Sequence, residues 1–119
     1  MQDFKKLEVW KKSHAIALET YAKTASFPQT EMFGVTSQMR RASVSIPSNI
    51  AEGSSRGRDP EFAQFLRYSV GSSGELEYLS MLATDLNYLK PPQSRELIVR
   101  VLEVRQMLCG LLAAVDTKR

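Results

Sequence analysis

An all-α, antiparallel up-down-up-down four-helix bundle is the fold this sequence predicts, and three observations predict it. Apolar residues recur at alternating steps of three and four along four separate segments. Proline and glycine punctuate the gaps between those segments, and no stretch alternates with the period of two that a half-buried strand needs. The 119 residues fit one domain spanning 1–119, and a hydrophobic fraction of 43% is enough for a single core.

The first helix is expected over about 6–25, with Leu7, Trp10, His14, Ala17 and Tyr21 as its apolar stripe. That places the only histidine on the buried side, where a structural role is the expected one rather than metal ligation or base catalysis. Phe27-Pro28-Gln29-Thr30 separates it from a second helix over about 31–55, whose stripe is Val35, Met39, Ala42, Ile46, Asn49 and Gly53. Pro47 falls inside this pattern. It removes a backbone donor and crowds the Ser43 carbonyl, so the second helix is expected to kink there.

The third helix, about 60–89, has the best-marked start: Asp59 as N-cap, Pro60 at the first helical position and Glu61 in the first turn. Phe62, Phe65, Ser69, Ser72, Leu76, Leu79, Ala83 and Leu86 continue a heptad seam until Pro91-Pro92 ends it. Gly71-Ser72-Ser73-Gly74 sits mid-helix, where two glycines cost about 1 kcal/mol each relative to alanine. Small residues there imply tight packing between neighbouring helices, or a waist that admits another subunit. The fourth helix, about 94–116, carries Leu97, Val101, Val104, Leu108, Leu111 and Val115, flanked by Ile98, Leu102 and Leu112. Its apolar face is wider than one core consumes, which points to an oligomer.

Composition narrows the classes. Sixteen basic and thirteen acidic residues give a net charge of +3, a mildly basic surface of mixed sign. The longest apolar stretch, Leu108 to Val115, is far short of a membrane span, and the first residues do not resemble a signal peptide. Cys109 is the only cysteine, so no intrachain disulfide is expected and the chain fits a reducing cytoplasm. Beside Leu108, it is expected to act in packing.

Two polar groupings stand out. Arg41, Ser45, Ser48 and Glu52 are spaced four, three and four apart and form one stripe beside the apolar face of the second helix. Arg41 and Glu52 lie about 16 Å apart along the axis, too far to pair, so a buried Glu52 would need another cation, with Arg67 or a neighbouring subunit's arginine as the expected partner. Asn49 lies on the core stripe and is expected to bond backbone opened by Pro47. Ser45, Ser48, Asn49 and Glu52 thus form an expected structural polar network. Basic residues gather in two places, Arg40, Arg41, Arg56, Arg58 and Arg67, and Lys5, Lys6, Lys11 and Lys12; these are the candidate nucleic-acid-binding residues. No RNA- or DNA-recognition motif is present, so binding is expected to be independent of sequence.

Catalytic constellations are not found. The glutamates and Glu-x-x-His pairs of di-iron bundles, zinc-ligand spacing, a phosphate loop and a nucleophile elbow are all missing. Glu75 and Glu77, two apart on a helix, point in different directions and make a poor acid–base pair. No cofactor, no metal and no enzymatic activity are expected. The competing reading is a protein-interaction scaffold with no nucleic-acid role.

Several blocks carry a family likeness: Phe4, Leu7, Trp10 and Lys11; Phe27-Pro28 and Gly34; Gln38-Met39-Arg40-Arg41-Ala42; Val44 to Gly53; and Gly71-Ser72 followed by Glu75-Leu76-Glu77. With these the chain resembles, over nearly its full length, the four-helix-bundle proteins encoded in intervening sequences of bacterial 23S ribosomal RNA genes. Met39 and Ser73 depart from the family's common leucines beside core positions. The resemblance implies a cytoplasmic bacterial bundle assembled as a homopentameric ring, and no enzymatic activity. It also implies kinship with the accessory proteins of diversity-generating retroelements, which are similar in fold and bind nucleic acid and a reverse transcriptase. Five copies would carry +15 (five times +3), enough to engage several phosphates at once.

Overall fold

A computed structural model describes residues 3–117 and contains four α-helices, with no strand among the described residues. They are α1 (Glu8–Thr24), α2 (Val35–Ser55), α3 (Asp59–Asp85) and α4 (Pro91–Thr117), with 3₁₀ turns at Phe4–Lys6 and Gln29–Glu31. α2 packs on α3, α3 on α4, and α1 against both α2 and α4. The molecule measures 45 × 22 × 20 Å, so the 27-residue α3 and α4, each about 40 Å long, run nearly its full length.

Most of the stripes expected for the last three helices is core, though Leu86 is exposed, Asn49, Phe65, Ser72 and Leu111 are half-buried, and Ile50 and Leu66 join the core from outside those stripes. Met39, Ile46 and Ile50 of α2, Leu66 and Leu76 of α3, and Leu97, Val101, Val104 and Leu108 of α4 are all fully buried, each contributing about 1.5–3 kcal/mol by leaving water. The first helix differs from expectation. Its buried face is Val9, Ser13, Ile16, Ala17, Thr20 and Thr24, whereas His14 and Tyr21 are exposed. The physical reason is that hydroxyl residues need not face water in a helix. Ser13 donates to the Trp10 carbonyl at 2.9 Å, and Thr20 and Thr24 donate to the carbonyls of Ile16 and Thr20 at 2.8 Å, so their buried oxygens are satisfied one turn back.

α2 and α3 meet through small residues. Gly53 is buried, and a Cβ built on it would lie 2.6 Å from Phe65 Cβ and 3.1 Å from Phe62 Cδ1. Ser69 Oγ crosses the seam to donate to the Ile46 carbonyl at 2.9 Å. Gly71 and Gly74 do not take part. Both are exposed, and a Cβ at either would meet nothing within 4 Å; the close-packing residues of this stretch are Ser69 and Ser73. Gly71→Ala and Gly74→Ala should therefore each stabilise the isolated bundle by about 0.5–1 kcal/mol in a urea titration, since only helix propensity changes.

Helix ends follow local chemistry. α3 stops at Asp85, four residues earlier than the apolar seam suggests, because Asn87 takes a left-handed conformation (φ 65°) and the Tyr88 amide donates to the Ala83 carbonyl at 2.8 Å. Pro91 then opens α4 rather than merely closing α3. Asp59 lies in the first turn of α3 with Arg58 before it, and its carboxylate still faces the positive end of the helix dipole. Gly57, at φ 77°, supplies the left-handed residue between α2 and α3. At the start of α2, Glu31 accepts from the Val35 amide at 3.3 Å and from the Tyr88 hydroxyl at 2.8 Å. That bond holds the Tyr88 phenol above its ordinary pKa, with burial adding to it.

α1 is tied to α4 by a charged cluster in which Lys23 contacts Glu19 at 3.1 Å and Glu96 at 3.0 Å, and Arg100 also pairs with Glu19. Burial lowers the Lys23 pKa, but the hydrogen bonds and charges of Glu96 and Glu19 outweigh it and leave the ammonium above its ordinary value. The hydrogen bond from Lys23 correspondingly holds the Glu96 carboxyl below its ordinary range. The two signs agree: the lysine's contribution is lost only as pH rises through its raised value, and the glutamate's only as pH falls through its lowered one.

Candidate functional site

Of the α1 stripe expected to be core, Ala17 is buried and Leu7 and Trp10 pack against the core, but His14 and Tyr21 are exposed and line a groove. Between α1 and α2 run two adjoining cavities of about 560 and 380 Å³, joined at Tyr21 and Val44, which line both. The smaller is walled by Trp10, His14 and Ala17 of α1, Pro47 and Ala51 of α2, and Phe4 of the first 3₁₀ turn. Its aromatic side is ordered by contact: Phe4 meets Trp10 edge-on with centroids 5.0 Å apart, and His14 stacks parallel on Trp10 at 5.2 Å. The larger is lined by Tyr21, Phe33, Thr36, Arg40 and Arg41 among others. No aspartate or glutamate lines either cavity, although the chain has thirteen acidic residues.

Ion pairing separates the candidate cations into two groups. Arg56 pairs with Glu52 at 3.6 Å and Glu61 at 3.8 Å, Arg58 with Glu61 at 4.0 Å, and Arg67 with Asp116 at 3.4 Å. Lys11 pairs with Glu8 at 3.4 Å and Lys12 with Glu103 at 3.1 Å. Lys5, Lys6, Arg40 and Arg41 make no ion pair among the described residues. Arg40 is held by other means: its Nε donates to Thr24 Oγ1 at 2.9 Å, and its guanidinium lies 4.7 Å from the centroid of the Tyr21 ring. Arg41 is exposed. Lys5 and Lys6 are exposed in the turn that carries Phe4, and of that turn only Phe4 lines the groove. Paired cations have their charge cancelled locally, whereas the unpaired ones leave a positive, acid-free groove.

The polar network is smaller than expected. Asn49 Nδ2 donates to the Ser45 carbonyl at 2.8 Å and to Ser45 Oγ at 2.9 Å, and Ser45 Oγ reaches Ser72 Oγ on α3 at 2.8 Å. The amide thus bonds the Ser45 carbonyl, two residues beyond the Ser43 carbonyl that Pro47 deprives of its helical donor. Ser48 is exposed and lines the groove. Glu52 is exposed and finds its cation four residues on in Arg56, so it needs no contact with Arg67. Asn49→Leu should destabilise the fold by about 1 kcal/mol by thermal or urea unfolding, by breaking the link to Ser45 and Ser72. An unchanged stability would show that the network is dispensable.

Cys109 is exposed, not packed in the core. Among the described residues no group of three or more His, Cys, Asp and Glu could hold a metal ion, and no helix is long and apolar enough to cross a membrane. The groove itself could have been found from α1. Trp10, His14, Ala17, Leu18 and Tyr21 make a second apolar face beside Val9, Ser13, Ile16 and Thr20, and one helix in a single-layer bundle needs only one.

Comparison with known proteins agrees with the fold. A crystal structure of a protein with unknown function from the S23 ribosomal protein family, from Bacteroides thetaiotaomicron VPI-5482, superposes with a TM-score of 0.78. It is 21% identical, and the match covers 87% of this chain and 97% of that one. No curated protein matches the chain. The model of the 23S rRNA-intervening sequence protein family matches residues 5–110, a span that takes in the groove, its unpaired cations and the block from Val44 to Gly53. The chain belongs to the 23S rRNA-intervening sequence protein family.

Proposed function

We propose that this protein is a non-enzymatic homo-oligomeric bundle that binds nucleic acid without regard to sequence, alone or as the accessory of a nucleic-acid enzyme. The observation that carries the reading is the segregation of charge. Arg56, Arg58, Arg67, Lys11 and Lys12 are spent on ion pairs, while Arg40 and Arg41 stand without an ion pair in the wall of a groove that has no acidic residue. Phosphates would be held by charge, with the salt dependence of counterion release. The helices run up-down-up-down with α2 bending at Pro47, and the protein works in the cytoplasm.

Assembly is supported by large apolar side chains exposed away from the groove: Tyr68, Tyr78 and Met81 of α3, and Val99 and Leu102 of α4. Unlike patches on one chain favour head-to-tail contacts, which form a ring where the rotation closes; a ring of five is the number the family resemblance implies. The same exposed side chains favour the second reading, a scaffold that binds only protein. Titration of labelled single- and double-stranded RNA and DNA at several salt concentrations from about 50 to 200 mM, with the particle mass measured in parallel, separates the two. Binding that weakens steeply with salt supports the proposal, and no binding of any nucleic acid to the assembled protein would leave the scaffold.

A further inference from the structure

Three features of the larger cavity exceed what a phosphate-holding surface needs. Phe33, at its edge, is 96% exposed, more than any other large apolar side chain among the described residues. Beside it, Arg40 lies over the Tyr21 ring, a guanidinium–aromatic layer in the cavity wall. The third feature is Thr36, which lines the cavity, is only 2% exposed and has a hydroxyl oxygen with no hydrogen-bond partner. It stands apart from Ser13, Thr20, Thr24, Ser43, Ser73 and Ser80, whose hydroxyls all donate to a carbonyl three or four residues back.

We infer that this cavity is a subsite for an unstacked base of a single-stranded nucleic acid, the base stacking on Phe33 and Tyr21 and the adjoining phosphates held by Arg40 and Arg41. The inference rests on the nucleic-acid reading above and adds single-strand selectivity to it. A cavity of about 560 Å³ is within the usual range for a small-molecule site. Aromatic platforms beside arginines are the means by which single strands are held without sequence readout, since every base has a π-face. The amino end of α2 cannot serve as the anion site, because the Glu31 carboxylate already accepts from the Val35 amide; the phosphate must fall to the arginines. The acid-free walls and unpaired guanidiniums favour this polyanion over a second copy of the chain, whose surface is of mixed sign. A paired duplex keeps its bases stacked inside and offers the cavity nothing but backbone.

The test is an anisotropy titration of the assembled protein at one low salt concentration with three probes of equal length: a mixed-sequence single strand, its duplex, and a strand of abasic sugar-phosphate units. Wild type should bind the single strand about tenfold tighter than either of the others. Phe33→Ala should erase that preference while leaving duplex affinity and its salt slope in place, and Phe33→Trp should restore it. Equal binding of all three probes, or a preference that survives Phe33→Ala, overturns the subsite and leaves the nucleic-acid reading standing. Failure to bind any probe overturns both. A Phe33→Ala protein that loses its assembled mass but keeps the preference shows that Phe33 meets another subunit instead, and also overturns the subsite.

Discussion

Gly53→Ala should destabilise the bundle by about 3 kcal/mol, the largest effect expected of any one-methyl addition in this chain. The new Cβ would lie 2.6 Å from Phe65 Cβ. A side-chain tip could rotate away from such an overlap, but a Cβ is fixed to the backbone of α3, so relief requires the two helices to move apart. That movement would stretch the 2.9 Å bond from Ser69 to the Ile46 carbonyl and the 2.8 Å contact between Ser45 and Ser72, and would loosen the packing around Ile46 and Ile50, both fully buried. Overpacking of this kind costs about 1–3 kcal/mol, and the absence of a flexible neighbour puts Gly53 at the upper end. Urea unfolding checks it, with a lowered midpoint and an unchanged slope as the expected result. A variant as stable as the wild type would mean that α2 and α3 are not in close contact at Gly53.

Arg40→Gln combined with Arg41→Gln should weaken nucleic-acid binding by roughly fifty-fold at 50 mM salt for each protomer engaged, and should flatten the slope of log K against log salt by about 1.4 for a single strand. Both figures follow from two lost phosphate contacts at about 0.7 counterions each. Fold stability should change by no more than about 1 kcal/mol, because Arg41 is exposed and Arg40 gives up only the Thr24 bond and its place over Tyr21. Circular dichroism and the measured mass should therefore be those of the wild type, which separates lost binding from lost structure.

Apolar spacing made α2, α3 and α4 legible in the sequence because enough of their buried positions are Val, Ile, Leu, Met and Phe to show the rhythm, although Thr36, Ser43, Ser69, Ser73 and Ser80 are buried among them. It failed on α1 because half of the buried face there is Ser13, Thr20 and Thr24, residues that look solvent-facing until their hydroxyls are seen to bond their own helix. With that face counted as polar, the apolar stripe falls on Trp10, His14 and Tyr21, of which Trp10 packs on the core while His14 and Tyr21 are exposed in the groove. The end of α3 was misjudged for a related reason: Leu89 is buried and continues the apolar rhythm, but it belongs to the connection that Asn87 has already turned.

The candidate site was half legible. Arg40 and Arg41 were visible as adjacent cations on a polar edge, and they remain in the site. Arg56, Arg58 and Arg67 looked equivalent to them, and nothing in a linear reading ranks one arginine above another. What demotes them is pairing, which for Arg67 reaches across 49 residues to Asp116 on another helix. Lys12 likewise meets Glu103 only because α1 and α4 are neighbours. Unpaired charge belongs to the tertiary arrangement, and so does the acid-free groove that gives it a use.

The most direct measurement compares salt slopes for single-strand binding in the wild type, the Arg40→Gln/Arg41→Gln variant and an Arg56→Gln/Arg58→Gln variant of the same net charge. If the groove is the binding surface, the first pair of substitutions flattens the slope by about 1.4 and the second leaves it within error of the wild type, because those charges are already neutralised by Glu52 and Glu61. Equal flattening by both variants, or a loss confined to Arg56 and Arg58, would contradict the division between structural and functional cations on which the account rests.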